Sequence, residues 1–498
     1  MYDRIVLRRS GMLTAILQPP EAVRRLVENA LTYERREYLR GKTARWAQKK
    51  FQITPVHCYQ HVSDPDDVVP SQLVFPSGFI PRVAGVLKRA GYRVFLKDTT
   101  PKRPSQYWEP QWDAIFPKVT WRYRQKEVLE KMLAARVGGQ IICPTGYGKG
   151  LLIRCFCQLL PHLRIDVSTH SLDVLEQIYA DLSVGIPGVS IDCSSFQRKG
   201  EGSVRLYSGK SLHHSDGMAD VLIVDEGHEW ATDAYMASLV RYRNAKRFMF
   251  TASPIRDDGA HFELEGAFGP PLVNISYQEA VEHNCIVPIL VQMVDVVMDE
   301  NPAEGYSETA RERWGIWRNR VRNEVIADTA RKIPEDQQVL ITVKTFEHAA
   351  FLKKHLPEFT LCYADSESTK ADFSRYVSWG LIPSSEVYVD RERRRELKEA
   401  FESGKLRRVI ATPVWNRGVN FKDLSVLIRA DASDSTVADT QIPGRTARLP
   451  HRTDKPYGLL IDFLDQFDIG YHRKALRRKK RYEANSWKVE RVGRAPMR

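Results

Sequence analysis

Two stretches of this chain alternate short apolar runs with helical patterns. That alternation limits the fold more than any other feature. In the first stretch, QIICP (140–144), RIDVST (164–169), DVLIVDE (220–226) and RFMFTAS (247–253) read as strands, separated by helical runs such as GLLIRCFCQLL and SLDVLEQIYADL. Runs of this length with no polar face, spaced by helices, build a parallel sheet buried on both faces. GAFGPPLVNIS (266–276) breaks the rhythm. It resumes with QQVLITV, the helical TFEHAAFLKKHL, FTLCYAD, the helical RERRRELKEAFESGK, RRVIATP, LSVLIRAD and YGLLIDFLD.

The reading is therefore an α/β protein with two parallel-sheet units, 119–275 and 331–470. Residues 276–330, with ARERWGIWRNRVRNEVIADTARKI, are expected to be a polar helical connection. Residues 1–118 differ. PEAVRRLVENALTYERREYLRGK reads as helical, and QLVFPSGFIPRVAGVLKRAGYRVFLKD as strand, turn, helix, strand, so a small α+β accessory domain is expected there. Charge separates the parts further. The net charge of +13 is uneven: residues 1–118 carry +9 and residues 471–498 another +9, which leaves residues 119–470 at −5. Basic ends suggest phosphate-backbone contact, the accessory domain and a basic C-terminal tail being the candidates, although a solvated face would look the same. No run of about 18 apolar residues and no secretory signal is visible, so a cytoplasmic protein without membrane contact is expected. The seven cysteines include no paired Cys-x₂₋₄-Cys spacing and read as reduced thiols.

Chemistry enters at PTGYGKG. Between a strand and a helix, backbone N–H groups and a helix N-terminus can cradle phosphates. Pro144, Thr145, Gly146, Tyr147, Gly148, Lys149 and Gly150 are the candidate nucleotide-binding residues. Gly146 and Gly148 permit the tight turn, and Lys149 would reach the β- and γ-phosphates. A glycine-rich strand–helix turn is the plain alternative. The strand DVLIVDE then ends in Asp225 and Glu226. In parallel sheets, ligands bind at the carboxyl ends of strands. An Asp there can hold Mg²⁺ through water and a Glu can polarise the attacking water, whereas an N-cap Asp opening a helix is the alternative.

Taken in order, these pieces resemble a superfamily-two helicase with two RecA-like domains, over residues 119–470. WRYRQ (121–125) resembles the motif whose Gln reads adenine, here Gln125. PTGYGKG resembles motif I, and STHSLDVLEQ (168–177) resembles motif Ia. DEGH (225–228) resembles the DEAH box with Gly227 for Ala, and TASPIR (251–256) resembles motif III. LITVKTFEHAAFL, VIATPVWNRGVNF and QIPGRTAR resemble motifs IV, V and VI. The resemblance implies ATP and Mg²⁺ as cofactors. It implies Lys149, Asp225, Glu226, Gln441, Arg445 and Arg448 as catalytic residues, the two arginines acting as fingers on the γ-phosphate. It implies Ser168, Thr169, His170, Thr345 and Thr412 as nucleic-acid contacts. The layout is similar to phage T4-type branch-migration helicases. That points to a monomeric DNA helicase of phage type, or of DNA repair and recombination, acting on forked or branched duplex, single strands or an RNA–DNA hybrid.

Two departures stand out. The residue after Lys149 is Gly150, where the family has Ser or Thr with a hydroxyl on Mg²⁺. A water can replace that hydroxyl, so an active ATPase with altered Mg²⁺ dependence is expected. Asn420 stands in motif V where Asp is frequent. The rival readings are an RNA-directed helicase of the same fold and a clamp that binds nucleic acid without turnover.

Overall fold

The computed structural model describes residues 4–38, 51–63, 71–100, 110–170, 172–193, 196–252, 258–415, 421, 423–435, 439, 442–450 and 455–493. They fall into two compact units, residues 1–143 with 148–276, and residues 144–147 with 277–498.

The first unit begins with a five-stranded sheet. Its strands are β1 (Arg4–Ser10), β2 (Leu13–Leu17), β5 (Gln60–Val62), β6 (Gln72–Pro76) and β7 (Arg93–Asp98), in the order β5-β6-β2-β1-β7. Helices α1 (Glu21–Ala30) and α2 (Ile80–Arg89) cover one face, burying Val23, Val27, Val83 and Leu87 against Leu7, Ile16 and Phe75. The expected strand–turn–helix–strand is thus β6, a 3-10 turn, α2 and β7. The helical reading of residues 20–42 holds only to Ala30. Beyond it, β3 (Thr32–Tyr38) pairs with β4 (Phe51–His57) as a separate antiparallel hairpin. A pairing partner that lies distant in sequence decides the outcome.

The hairpin and the small sheet pack on the RecA-like part of this unit. Tyr33 lies over Phe262 with ring centroids 5.2 Å apart, and its hydroxyl donates to Glu263. Gly11 (φ 59°) turns β1 into β2 so tightly against the Arg243 carbonyl that no Cβ would fit. The RecA-like sheet has eight strands, β8 (Gly138–Ile142), β9 (Ile165–Thr169), β10 (Ser190–Asp192), β11 (Gln197–Arg198), β12 (Val204–Ser208), β13 (Val221–Val224), β14 (Lys246–Thr251) and β15 (Pro271–Asn274). Their order is β11-β10-β12-β9-β13-β14-β8-β15. Every residue of β8, β9 and β13 is buried, as a sheet covered on both faces requires.

The second unit holds a seven-stranded sheet of β16 (Ile289–Val296), β17 (Gln338–Thr342), β18 (Thr360–Cys362), β19 (Arg408–Ala411), β20 (Leu424–Arg429), β21 (Gly458–Asp465) and β22 (Lys488–Val492). The order is β18-β19-β17-β20-β21-β16-β22, with parallel pairs throughout. Two expectations need correction here. The connecting segment 276–330 is not only helical: ILVQMVDV within it is β16, paired in register with β21. The basic end is not an appended tail. It forms the helix Ile469–Ala484 and the edge strand β22, which pairs with β16. Asp468 caps that helix by accepting from the N–H groups of Gly470 and Tyr471 at 2.8 and 3.1 Å.

Part of the basic charge at this end is paired with carboxylates of the second unit. Arg478 is fully buried, with Nε 2.7 Å from Asp462 Oδ2 and Nη2 2.8 Å from Oδ1. Burial raises the Asp462 pKa, but Arg478 outweighs it and holds the carboxyl below the usual range, at about 2. The Tyr482 hydroxyl also donates to Asp462, at 2.7 Å. On β20, Arg429 donates to the buried Asp439 and to the Tyr482 oxygen. Removing one member strands the others without compensation. Arg478→Ala should therefore lower the stability of the second unit by about 3–5 kcal/mol, read from its transition in urea denaturation. A loss under about 1 kcal/mol would mean that water replaces the guanidinium.

Candidate active site

The first RecA-like sheet presents its chemistry at strand ends. β8 ends at Ile142, and the helix Lys149–Leu159 starts after the loop 143–148. Gly146 (φ 91°) and Gly148 (φ 111°) both take left-handed backbone, which only glycine adopts freely. A Cβ at Gly148 would lie 2.7 Å from Gln125 Nε2. Gln125, fully buried at the start of the helix Gln125–Ala134, thus sits beside the loop, its Oε1 accepting the Arg122 N–H at 2.9 Å. Gly150 occupies the first helical turn, exposed, and a Cβ there would meet no atom within 4 Å.

Asp225 and Glu226 follow β13 directly. Glu226 has φ 51°, a strained value for a residue with a side chain, costing about 1–3 kcal/mol. Its carboxylate meets Lys149, Nζ to Oε1 3.0 Å. Burial opposes the Lys149 charge, but Glu226 and then Asp225 outweigh it and hold the pKa above its ordinary value. Asp225 shifts the other way from an exposed carboxylate. Burial first, and the Glu226 charge second, push it up against the pull of Lys149. Its Oδ1 is buried and finds no hydrogen-bond partner among the described residues. An orphaned carboxylate oxygen beside a phosphate-type loop fits a divalent cation, which would supply the missing partner.

The box continues into β14. His228 is 1 % exposed, and its Nδ1 lies 3.1 Å from Thr251 Oγ1 at the end of that strand. This link ties DEGH to the start of TASPIR. Gly227 is explained by the same strand. A Cβ at Gly227 would fall inside the van der Waals envelope of Met249 Cγ and Sδ, and Met249 is fully buried. The methionine takes the space that an alanine would need, a pairing no local pattern in the sequence reveals.

The expected nucleic-acid residues fare differently. Ser168 and Thr169 are buried, at 0 and 1 % exposed, and the Ser168 hydroxyl donates to the Tyr207 carbonyl at 2.9 Å. They close the end of β9. His170 is half-buried against Trp230 and Tyr235, with ring centroids 5.0 and 4.3 Å away. Thr345 is half-exposed but caps the helix Phe346–Lys353, accepting from the His348 N–H at 3.2 Å. Thr412 is buried just past β19. In the second unit Arg445, 7 % exposed, donates to the Trp415 carbonyl, and Arg448 is half-buried three residues on. Gln441, Asn420 and residues 253–256 of TASPIR lie outside the described residues. All seven cysteines are free thiols, and among the described residues no cluster of His, Cys, Asp and Glu could hold a metal by itself. No described helix is long and apolar enough to cross a membrane.

Known proteins resemble this chain in fold. Residues 321–450 match the family model described as the helicase conserved C-terminal domain. A curated relative, "Putative helicase 22" of Sulfolobus islandicus filamentous virus (isolate Iceland/Hveragerdi), is 24 % identical over 267 residues. The match covers 50 % of this chain, which spans only 43 % of that relative's length. Among solved structures, S. cerevisiae Dbp5 bound to RNA and ADP BeF3 aligns with a TM-score of 0.54 at 12 % identity, over 79 % of this chain and 94 % of that one. A fragment of a putative HsdR subunit of a type I restriction enzyme from Vibrio vulnificus YJ016 aligns at 0.50 and 14 %, over 78 % and 71 %. T4 UvsW aligns at 0.41 and 13 %, over 98 % and 99 %. The fold is two RecA-like domains in tandem, that of superfamily-two helicases.

The Gly227–Met249 pairing is open to a double-mutant cycle. Gly227→Ala should destabilise the first unit by about 1–3 kcal/mol through overpacking, and adding Met249→Ala should recover at least about 0.5 kcal/mol of that. Strictly additive losses in thermal or urea denaturation would show that the two side chains do not compete for one space.

Proposed function

We propose that this chain, which has the fold and the C-terminal domain of a superfamily-two helicase, is an ATP-driven motor on nucleic acid, with forked or branched DNA as its substrate. One observation carries the reading. The Lys149 ammonium, the Glu226 carboxylate and the unpartnered Asp225 oxygen converge at the ends of β8 and β13, next to a loop built to hold phosphates. The DNA preference is supported by the sequence layout and by the excess of basic residues in residues 1–118.

Within this reading the phosphates of ATP lie on the N–H groups of the loop 144–149 and on Lys149. Lys149 then exchanges its Glu226 partner for a phosphate. That exchange frees the Glu226 carboxylate to orient water for attack on the γ-phosphorus, so the ion pair holds the base idle until nucleotide arrives. Asp225 and, through water, the space beside Gly150 would hold Mg²⁺, which supplies charge neutralisation on the phosphate oxygens. Gln125 reads the adenine edge. Arg445 and Arg448, with Gln441, are proposed to stabilise the transferring phosphate. His228 and Thr251 join the hydrolytic residues to the strand that follows them.

The deciding experiment compares ATP turnover with single-stranded, duplex and forked DNA and with RNA. Greatest stimulation by forked DNA supports the proposal; stimulation by RNA alone replaces DNA with RNA as the track.

Lys149→Ala should abolish turnover while leaving thermal stability and nucleic-acid binding near wild type. Turnover within about twofold of wild type would remove Lys149 from the site.

Gly150→Ser is sterically free and should lower the Mg²⁺ concentration for half-maximal activity, by roughly tenfold to a hundredfold if the new hydroxyl replaces a bound water. Identical titrations would place Gly150 away from the metal. A wild type inactive at every Mg²⁺ level, rescued by serine, would make the natural protein a clamp.

A further inference from the structure

Among the described residues, α1 and α2 cover one face of the small N-terminal sheet. Side chains alternate along its strands, with Ile5, Leu7 and Ile16 inside against α1 and α2. On the other face Arg4, Arg8, Phe95 and Lys97 are exposed. There the parallel register of β1 and β7 sets Arg4 opposite Arg93, Val6 opposite Phe95, and Arg8 opposite Lys97. Like charges directly across a ladder destabilise a sheet. Arg4, Arg8 and Lys97 enter no ion pair among the described residues, and the described positions of this face hold no acidic side chain. Arg8 and Lys97 thus set two like charges side by side with no acidic partner among the described residues, a repulsion that a bound polyanion would relieve.

The rest of the face says which polyanion. The Arg4 guanidinium lies 4.3 Å above the Phe95 ring, so the two form one flat cation–aromatic surface. Phe95 is 43 % exposed, and on β2 the side chains of Leu13 and Leu17 are 53 and 39 % exposed. Phosphates answer to the basic residues, but a flat, partly apolar surface beside them suits unstacked bases. A duplex would offer only its backbone. An acidic protein segment would answer to the charge and leave the ring without a stacking partner.

We propose that this exposed face of the sheet binds a single-stranded segment of nucleic acid, with phosphates along Arg4, Arg8 and Lys97 and a base stacked on Phe95. The inference rests on nucleic acid being the partner of the motor, but it concerns a surface apart from the nucleotide site and needs no ATP turnover.

The test uses the full chain without nucleotide and a fluorescent oligothymidylate of roughly 16 nucleotides, with a duplex of equal length alongside. Anisotropy is read between about 50 and 200 mM salt. The double variant Arg8→Gln, Lys97→Gln should bind the single strand several-fold more weakly and flatten the salt slope by about 1.4, or about 0.7 for each phosphate that is no longer neutralised. Phe95→Leu keeps an apolar side chain but loses the flat face, and should weaken binding roughly fivefold to a hundredfold, with Phe95→Trp restoring it. Melting temperatures should not fall, the double variant rising slightly as the Arg8–Lys97 repulsion is removed, and ATP turnover without nucleic acid should not move. A wild type that binds the strand while the double variant keeps the same affinity and slope overturns the proposal. So does an equal loss on duplex and single strand. A wild type that binds no nucleic acid at all sinks the motor reading as well, which separates the two failures.

Discussion

A parallel sheet covered on both faces leaves only the ends of its strands for chemistry, and this constraint organises both units. The strands β8 and β13 are buried at every position, so their side chains have no ligand to meet. What they can do is deliver the residues that follow them. Cys143 and the glycine-rich loop leave one strand end, Asp225 and Glu226 the next, and Thr251 ends β14. Neighbouring parallel strands all point their carboxyl ends the same way, so residues far apart in sequence arrive together. The 3.0 Å meeting of Lys149 with Glu226 is a product of that register.

The same constraint explains what could be read in advance. The phosphate loop and the acid pair were legible because each is local, a short set of residue types at fixed spacing after an apolar run. Strand identity in the interior was legible because full burial demands continuous apolar residues. What escaped were features decided by distant partners. Residues 289–296 have the composition of a strand, but their place in the sheet depends on pairing with residues 458–465 and 488–492. TYERREY looks helical until its partner at 51–57 is known. The burial of Ser168, whose hydroxyl donates to the Tyr207 carbonyl, is likewise set by a neighbouring strand. Gly227 carried no visible cause because Met249 lies one strand away.

Both units also bury charge, and in each the carboxylate is surrounded by donors. In the first, Asp166, fully buried on β9, accepts from Arg205, Ser215 and Tyr242 at 2.7 to 3.1 Å. In the second, Arg322 spans from Asp465 to the Ala430 carbonyl, at 2.8 Å each. Such networks cost much to desolvate and contribute little net stability. They do restrict the alternatives, since a strand slipped by one residue would bury a bare charge. At the C-terminal end Arg478, Arg481 and Arg491 are paired with Asp462, Asp439 and Asp295, so a formal count overstates what that end can offer to a polyanion.

The position of β16 has a consequence for how the protein is made. Its two neighbours, β21 and β22, lie more than 150 residues further along the chain. During synthesis, the eight residues from Ile289 to Val296 leave the ribosome with both edges unpaired, while the whole first unit is already complete. An apolar strand in that condition is a template for the wrong partner. Such long-range closure is intrinsically slow. The first unit therefore matures as a finished domain, and the second depends for its solubility on how soon its last strands arrive.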